Sequence, residues 1–128
     1  MMKMLLLFSH ILTQDQKVDA IKKLNIDEFI YLPEELQNIW SNINPYGELE
    51  IDKLNKIKEF IKKNIDKGDY ILIQGDFGAV YHMVNFAKKE GFVPVYSTTK
   101  RAHKESTLDD NTVESIKLFK HVCFRRYV

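Results

Sequence analysis

Five consecutive apolar residues, Met4-Leu5-Leu6-Leu7-Phe8, constrain this chain more than any other feature. An apolar residue at every position, not every second one, suits a strand covered on both faces. That is the condition of a parallel sheet between helix layers. The run is too short to cross a membrane and carries no signal-peptide cleavage pattern, so a soluble cytoplasmic protein is expected. Tyr70-Ile71-Leu72-Ile73 repeats the pattern. Phe92 to Tyr96 is a further strand whose Pro94 points to an edge or a strand start.

Helical periods lie between these runs. Thr13 and Gln16 have capping-box spacing ahead of Val18, Ile21 and Leu24, which line one face of a helix ending near Asn25. Glu28 to Leu32 reads as a short strand. Pro33 opens a short helix with the stripe Leu36, Ile39, Trp40 and Ile43. After a turn-rich break from Asn42 to Gly47, Ile51, Leu54, Ile57, Ile61 and Ile65 mark a longer helix that Gly68-Asp69 ends. The helix after Gly78 turns Ala79, Met83 and Phe86-Ala87 inward and stops at Gly91. Residues 102–128 read as an antiparallel hairpin on the sheet edge. In it Asp109-Asp110-Asn111 is the turn, and Ile116, Leu118, Val122 and Phe124 lie on one strand face. The order β-α-β-(α)-α-β-α-β-β-β predicts an α/β fold: a doubly wound parallel sheet flanked by helices, with a C-terminal antiparallel hairpin. At 128 residues the chain is expected to form one domain, 1–128.

Composition excludes several function classes. The one cysteine, Cys123, forms no internal disulfide and argues against a Cys-rich zinc site; no His/Asp metal cluster shows a reliable spacing. A net charge of +1 gives no bulk attraction to duplex nucleic acid. The charge is uneven, however. Residues 100–128 hold seven Lys/Arg against four Asp/Glu, including every Arg: Arg101, Arg125 and Arg126. Arg is the better bidentate phosphate ligand, so this segment reads either as a local anion site or as a solvated tail.

Doubly wound sheets hold ligands beyond the carboxyl ends of their strands. Three segments converge there: Ser9-His10, Gln74-Gly75-Asp76-Phe77-Gly78 and Ser97-Thr98-Thr99-Lys100-Arg101. The second is a strand-to-helix turn, where free N–H groups and the helix dipole favour an anion. It is neither a dinucleotide nor a nucleotide-triphosphate motif, and Asp76 also reads simply as the helix N-cap. His10 can orient a hydroxyl, donate to a phosphate or act as acid or base; its plainer reading is a satisfied structural residue. The third segment offers three hydroxyls and two cations, or a Ser/Thr turn followed by a basic pair. His82 reads as a surface residue, and His121 shares a strand face with Phe119, Cys123 and Arg125. Trp40 reads as core, with base stacking the alternative.

Taken in order, Leu5-Leu6-Leu7-Phe8-Ser9-His10, Tyr31-Leu32-Pro33-Glu34-Glu35-Leu36, Trp40-Ser41-Asn42, Ile73 to Ala79, Pro94 to Arg101 and Phe119-Lys120-His121-Val122 carry a resemblance over nearly the whole chain. The sequence resembles the small stand-alone CRISPR-associated proteins of type III systems, the minimal CARF-like group regarded as ring nucleases. The resemblance implies a CARF-like Rossmann domain acting as a homodimer on a cyclic oligoadenylate, cyclic tetra-adenylate above all, to switch the antiviral response off. It supplies no catalytic assignment, so the site residues rest on position and chemistry. The ribose 2′-OH would attack in line, giving a 2′,3′-cyclic phosphate without a metal or other cofactor. His10 would orient or deprotonate that hydroxyl. Gly75, Asp76, Phe77 and Gly78 would cradle the phosphate from the backbone, with Ser9, Gln74 and Ser97 beside them. Lys100 or Arg101 would neutralise it, and Thr98 and Thr99 would donate. A non-catalytic sponge for the same ligand and a protein-interaction module are the alternatives.

Overall fold

A computed structural model describes the backbone of residues 1–107 and 113–128, and the side chains of 1–101 and 119–128. The expected turn at Asp109-Asp110-Asn111 lies outside the described residues. The elements are β1 (Lys3–Leu7), α1 (Gln14–Leu24), β2 (Glu28–Ile30), α2 (Glu34–Ser41), α3 (Ile51–Asn64), β3 (Tyr70–Ile73), α4 (Phe77–Glu90), β4 (Val93–Thr107) and β5 (Val113–Arg126). They build a Rossmann-like α/β sheet in the order β2-β1-β3-β4-β5. The first four strands run parallel and β5 pairs antiparallel with β4. The direction of winding reverses between β1 and β3, the point at which such sheets leave a crevice at their carboxyl edge.

The apolar runs are buried on both faces, as their composition requires. Leu5, Leu7, Ile71 and Ile73 pack with Trp40 of α2, Leu54, Ile57 and Ile61 of α3, and Ala79, Met83 and Ala87 of α4. Met4, Leu6 and Leu72 face the other way, toward Leu12, Ala20 of α1, Ile26 and Val95. Each such Leu or Ile stabilises the fold by about 1.5–3 kcal/mol relative to exposure. Among the described residues no helix is long and apolar enough to cross a membrane.

Three expectations are corrected. The α1 capping box is present, with Thr13 Oγ1 accepting from the Gln16 amide and Gln16 Oε1 accepting from the Thr13 amide. The buried face of α1 is nevertheless Gln16 and Ala20, while Val18 and Ile21 are 37% and 51% exposed. Ala20 allows a close approach to the sheet, and Gln16 and Asp19 are drawn inward by polar partners on β4 and β5. Second, Ser97 to Arg101 do not leave the sheet as a loop. The strand expected to end at Tyr96 and the first strand of the hairpin are one strand, β4, because β5 pairs with it from Val95 to Thr107. Pro94 is tolerated because it stands second in that strand. Third, the strict alternation expected for β5 is broken. Thr98 pairs with Cys123 but Thr99 pairs with His121, so Val122 is an extra residue in a bulge. One inserted residue reverses the phase: Val122 is 56% exposed, and His121 shares the inner face with Phe124, their rings 4.6 Å apart.

Candidate functional site at the carboxyl edge of the sheet

The Gln74–Gly78 turn is built on Trp40. The indole is 2% exposed and its Nε1–H donates to the Gln74 carbonyl at 3.0 Å. A Cβ on Gly75 would stand 3.1–3.2 Å from three atoms of the indole ring, so a close backbone approach, not a special dihedral angle, selects glycine there. Gly75→Ala is therefore expected to destabilise the protein by about 1–3 kcal/mol through overpacking. A fall in the urea midpoint with unchanged slope measures it.

Asp76 is the N-cap of α4, its Oδ2 accepting from the Ala79 amide at 3.0 Å. Its carboxylate is thus turned to the helix it caps. Phe77 follows with 95% of its surface exposed, and Gly75, Asp76 and Gly78 are exposed too. Ser9 and His10 come from the end of β1 on the same edge; both are exposed. Ser9 Oγ accepts from Ser41 Oγ of α2 at 3.2 Å, and the His10 ring stands edge-on to Phe8 at 5.3 Å.

The third segment separates. Ser97 is 6% exposed. Its amide donates to Gln74 Oε1 at 2.9 Å, which ties β4 to the turn after β3. Its hydroxyl lies in hydrogen-bonding contact with His121 Nδ1 and accepts from Gln16 Nε2 at 3.4 Å. The other His121 nitrogen, Nε2, meets Asp19 Oδ2 at 2.8 Å. Ser97, His121 and Asp19 thus form a hydroxyl–imidazole–carboxylate series joining β4, β5 and α1. Triad hydrolases polarise a serine with the same groups. Here the His121 side chain is 4% exposed and Ser97 scarcely more, so the series fastens α1 and β5 to β4 beneath the edge. Sequence reading missed it, because residues 24 and 102 positions apart leave no local pattern.

Thr98, on the opposite face, exchanges hydrogen bonds with the Cys123 backbone at 3.2 Å. Thr99, Lys100 and Arg101 are exposed, and the Arg101 guanidinium lies 5.5 Å from the centre of the Phe119 ring. Arg101 is four residues beyond Ser97, which at the usual strand rise is about 13 Å along β4. Ser9, His10 and the Gln74–Gly78 turn thus share the carboxyl edge, whereas Lys100 and Arg101 stand out along the hairpin. On the α4 side of β4, Tyr96 and Tyr127 pack with centroids 4.8 Å apart, and Tyr127 Oη donates to the Ile73 carbonyl at 2.6 Å. Burial, with Tyr96 adding to it, pushes the Tyr127 phenol above its ordinary range.

A cleft of about 490 Å³ lies away from this edge, between α3 and α4, and includes Lys58, Lys62, Lys89 and His82. Burial and the neighbouring Lys89 and Lys62 lower the Lys58 pKa, and burial with Lys58 lowers that of His82. Among the described residues no three His, Cys, Asp or Glu side chains stand together as a metal site would require.

Comparison with known proteins gives the sequence its relatives. Residues 2–125 match the model described as the "Uncharacterized protein MJ1673 family". The chain belongs to the MJ1673 family. Within that family, the "Uncharacterized protein MJ1673" of Methanocaldococcus jannaschii is 54% identical over 127 residues, covering 99% of this chain and 98% of that protein. No solved structure matches the chain. The family match spans the carboxyl-edge residues, the Ser97–His121–Asp19 series and Trp40 alike.

Proposed function

We propose that this protein binds a cyclic oligoadenylate, cyclic tetra-adenylate in the first instance, and linearises it by attack of a ribose 2′-OH, thereby switching off type III CRISPR signalling. The observation that carries the reading is the composition of the carboxyl edge beside the β1/β3 reversal. A glycine-bounded turn opens α4, an exposed imidazole follows β1, and Phe77 presents an almost fully exposed aromatic face. Backbone N–H groups at a helix start suit a phosphodiester, and an exposed aromatic face suits a stacked adenine. The resemblance of the ordered segments to CARF-like ring nucleases points the same way.

In this reading His10 takes the proton from the 2′-OH as its oxygen bonds to phosphorus, the P–O5′ bond breaks, and the leaving 5′-oxygen takes a proton from solvent water. The product ends in a 2′,3′-cyclic phosphate and a free 5′-OH. Positioning and charge stabilisation account for such a step, and no resident metal is assigned to it.

Trp40, the single tryptophan, lies directly beneath the turn and reports on it. Titration with cyclic tetra-adenylate is expected to shift Trp40 emission saturably, with the same midpoint in EDTA. A flat titration, or one that needs a divalent ion, contradicts the proposal.

A further inference from the structure

We propose that the β4–β5 ribbon is a dimerisation arm. It docks on the carboxyl edge of a second copy of this chain and delivers Arg101 and Phe119 to that copy's site. The composite site deepens the function proposed above and rests on it; the docking does not.

The first observation is the pairing. β3 pairs with β4 only from Tyr70↔Val93 to Leu72↔Val95, while β4 and β5 stay paired out to Thr107↔Val113. From Thr99 to Thr107 the ribbon therefore advances about 26 Å with β5 as its sheet partner. That is nearly twice the radius of gyration, about 14 Å, of a compact chain this long. An isolated two-stranded ribbon is marginally stable in water, and packing on a further surface stabilises it. The bulge opposite Thr98/Thr99 stands where the ribbon leaves the sheet, a place where an extra residue bends and re-aims a strand pair.

The second observation is complementarity. Every helix that follows a parallel strand begins at the carboxyl edge, and those first turns carry Asp15, Glu34, Glu35 and the cap Asp76, all exposed. The edge also exposes Ile11 and Phe77, at 87% and 95%. The base of the ribbon carries exposed Lys100, Arg101 and Lys120, and Phe119 at 62% exposure. Cations and an apolar ring thus match carboxylates and apolar side chains. The match also resolves a difficulty within one chain: an acidic edge is poorly suited to a polyanion, and the chain's own Arg101 stands about 13 Å beyond Ser97. A second copy's arm would supply the missing cation. Because each copy offers both arm and edge, the exchange closes as a two-fold dimer.

The test uses the ligand-free full chain. Sedimentation is expected to show a dimer at micromolar concentration, and Phe119→Asp is expected to weaken it at least about tenfold while Trp40 emission stays native. A photoreactive benzoylphenylalanine in place of Phe119, in a mixture of ¹⁵N-labelled and unlabelled chains, is expected to join the two isotopes at residues 10–13 or 76–81. A monomer, or cross-links confined to one isotope, overturns the arm. The composite site is then read by mixing His10→Ala with Arg101→Ala chains. Exchange between copies restores about a quarter of wild-type cleavage, whereas an arm serving its own subunit restores none and overturns the delivery of Arg101. An isotope-mixed cross-link, found together with wild-type protein that neither binds nor cleaves cyclic tetra-adenylate, overturns the composite site together with the function above, and supports the docking.

Discussion

Trp40→Ala is expected to destabilise the protein by about 3–5 kcal/mol, a large fraction of the roughly 5–15 kcal/mol that holds a domain of this size together. The indole packs in the cluster shared by β1, β3 and α2–α4, it is 2% exposed, and its Nε1–H satisfies the Gln74 carbonyl. Truncation leaves a cavity beneath the Gln74–Gly78 turn and removes that donor. Trp40→Phe keeps most of the volume but loses the hydrogen bond, so its cost is expected to be smaller. Urea unfolding followed by circular dichroism measures both, since neither variant retains a tryptophan. A Trp40→Ala protein as stable as the wild type would show that the turn is not built on the indole.

His10→Ala is expected to lower single-turnover cleavage of cyclic tetra-adenylate by about 10²–10⁴-fold, the usual contribution of a general acid–base group. The dissociation constant should change much less, because the imidazole acts on a proton that moves only in the transition state. Arg101→Ala is expected to weaken binding as well, since its charge meets the phosphate in the ground and transition states alike. His10 is exposed, so its replacement should leave the denaturation midpoint almost unchanged. A His10→Ala protein that cleaves at the wild-type rate removes His10 from the chemistry and leaves Lys100, Arg101 and the Gly75–Gly78 turn.

What the sequence made legible follows from the range of the interactions involved. The buried strands were readable because an unbroken apolar run has few other uses. The cap at Thr13–Gln16 and the stop at Gly91 were readable because they are contacts between near neighbours in the chain. The position of the edge followed from strand order, and with it the placing of Ser9-His10 and the Gln74–Gly78 turn at the ends of neighbouring strands.

The failures are long-range. The inward face of α1 was misassigned because Val18 and Ile21 look like core in a local window, whereas the helix is turned by Gln16 and Asp19 reaching Ser97 and His121. The place of His121 depended on one extra residue in β5, and alternation has no means of showing where a bulge falls. Ser97 to Arg101 read as a loop because Ser/Thr and basic residues favour loops; pairing with β5 overrides that preference. Ser97 therefore lies under the edge, with its hydroxyl in the His121 network, and Arg101 lies beyond it.

The proposed reaction at this edge is the opening of a cyclic oligoadenylate. Its most direct test is incubation of the purified protein in EDTA with cyclic tetra-adenylate, followed by chromatography and mass measurement of the products. The expected products are linear oligoadenylates that end in a 2′,3′-cyclic phosphate. Intact ligand after many hours, whether retained by the protein or free in solution, would contradict it.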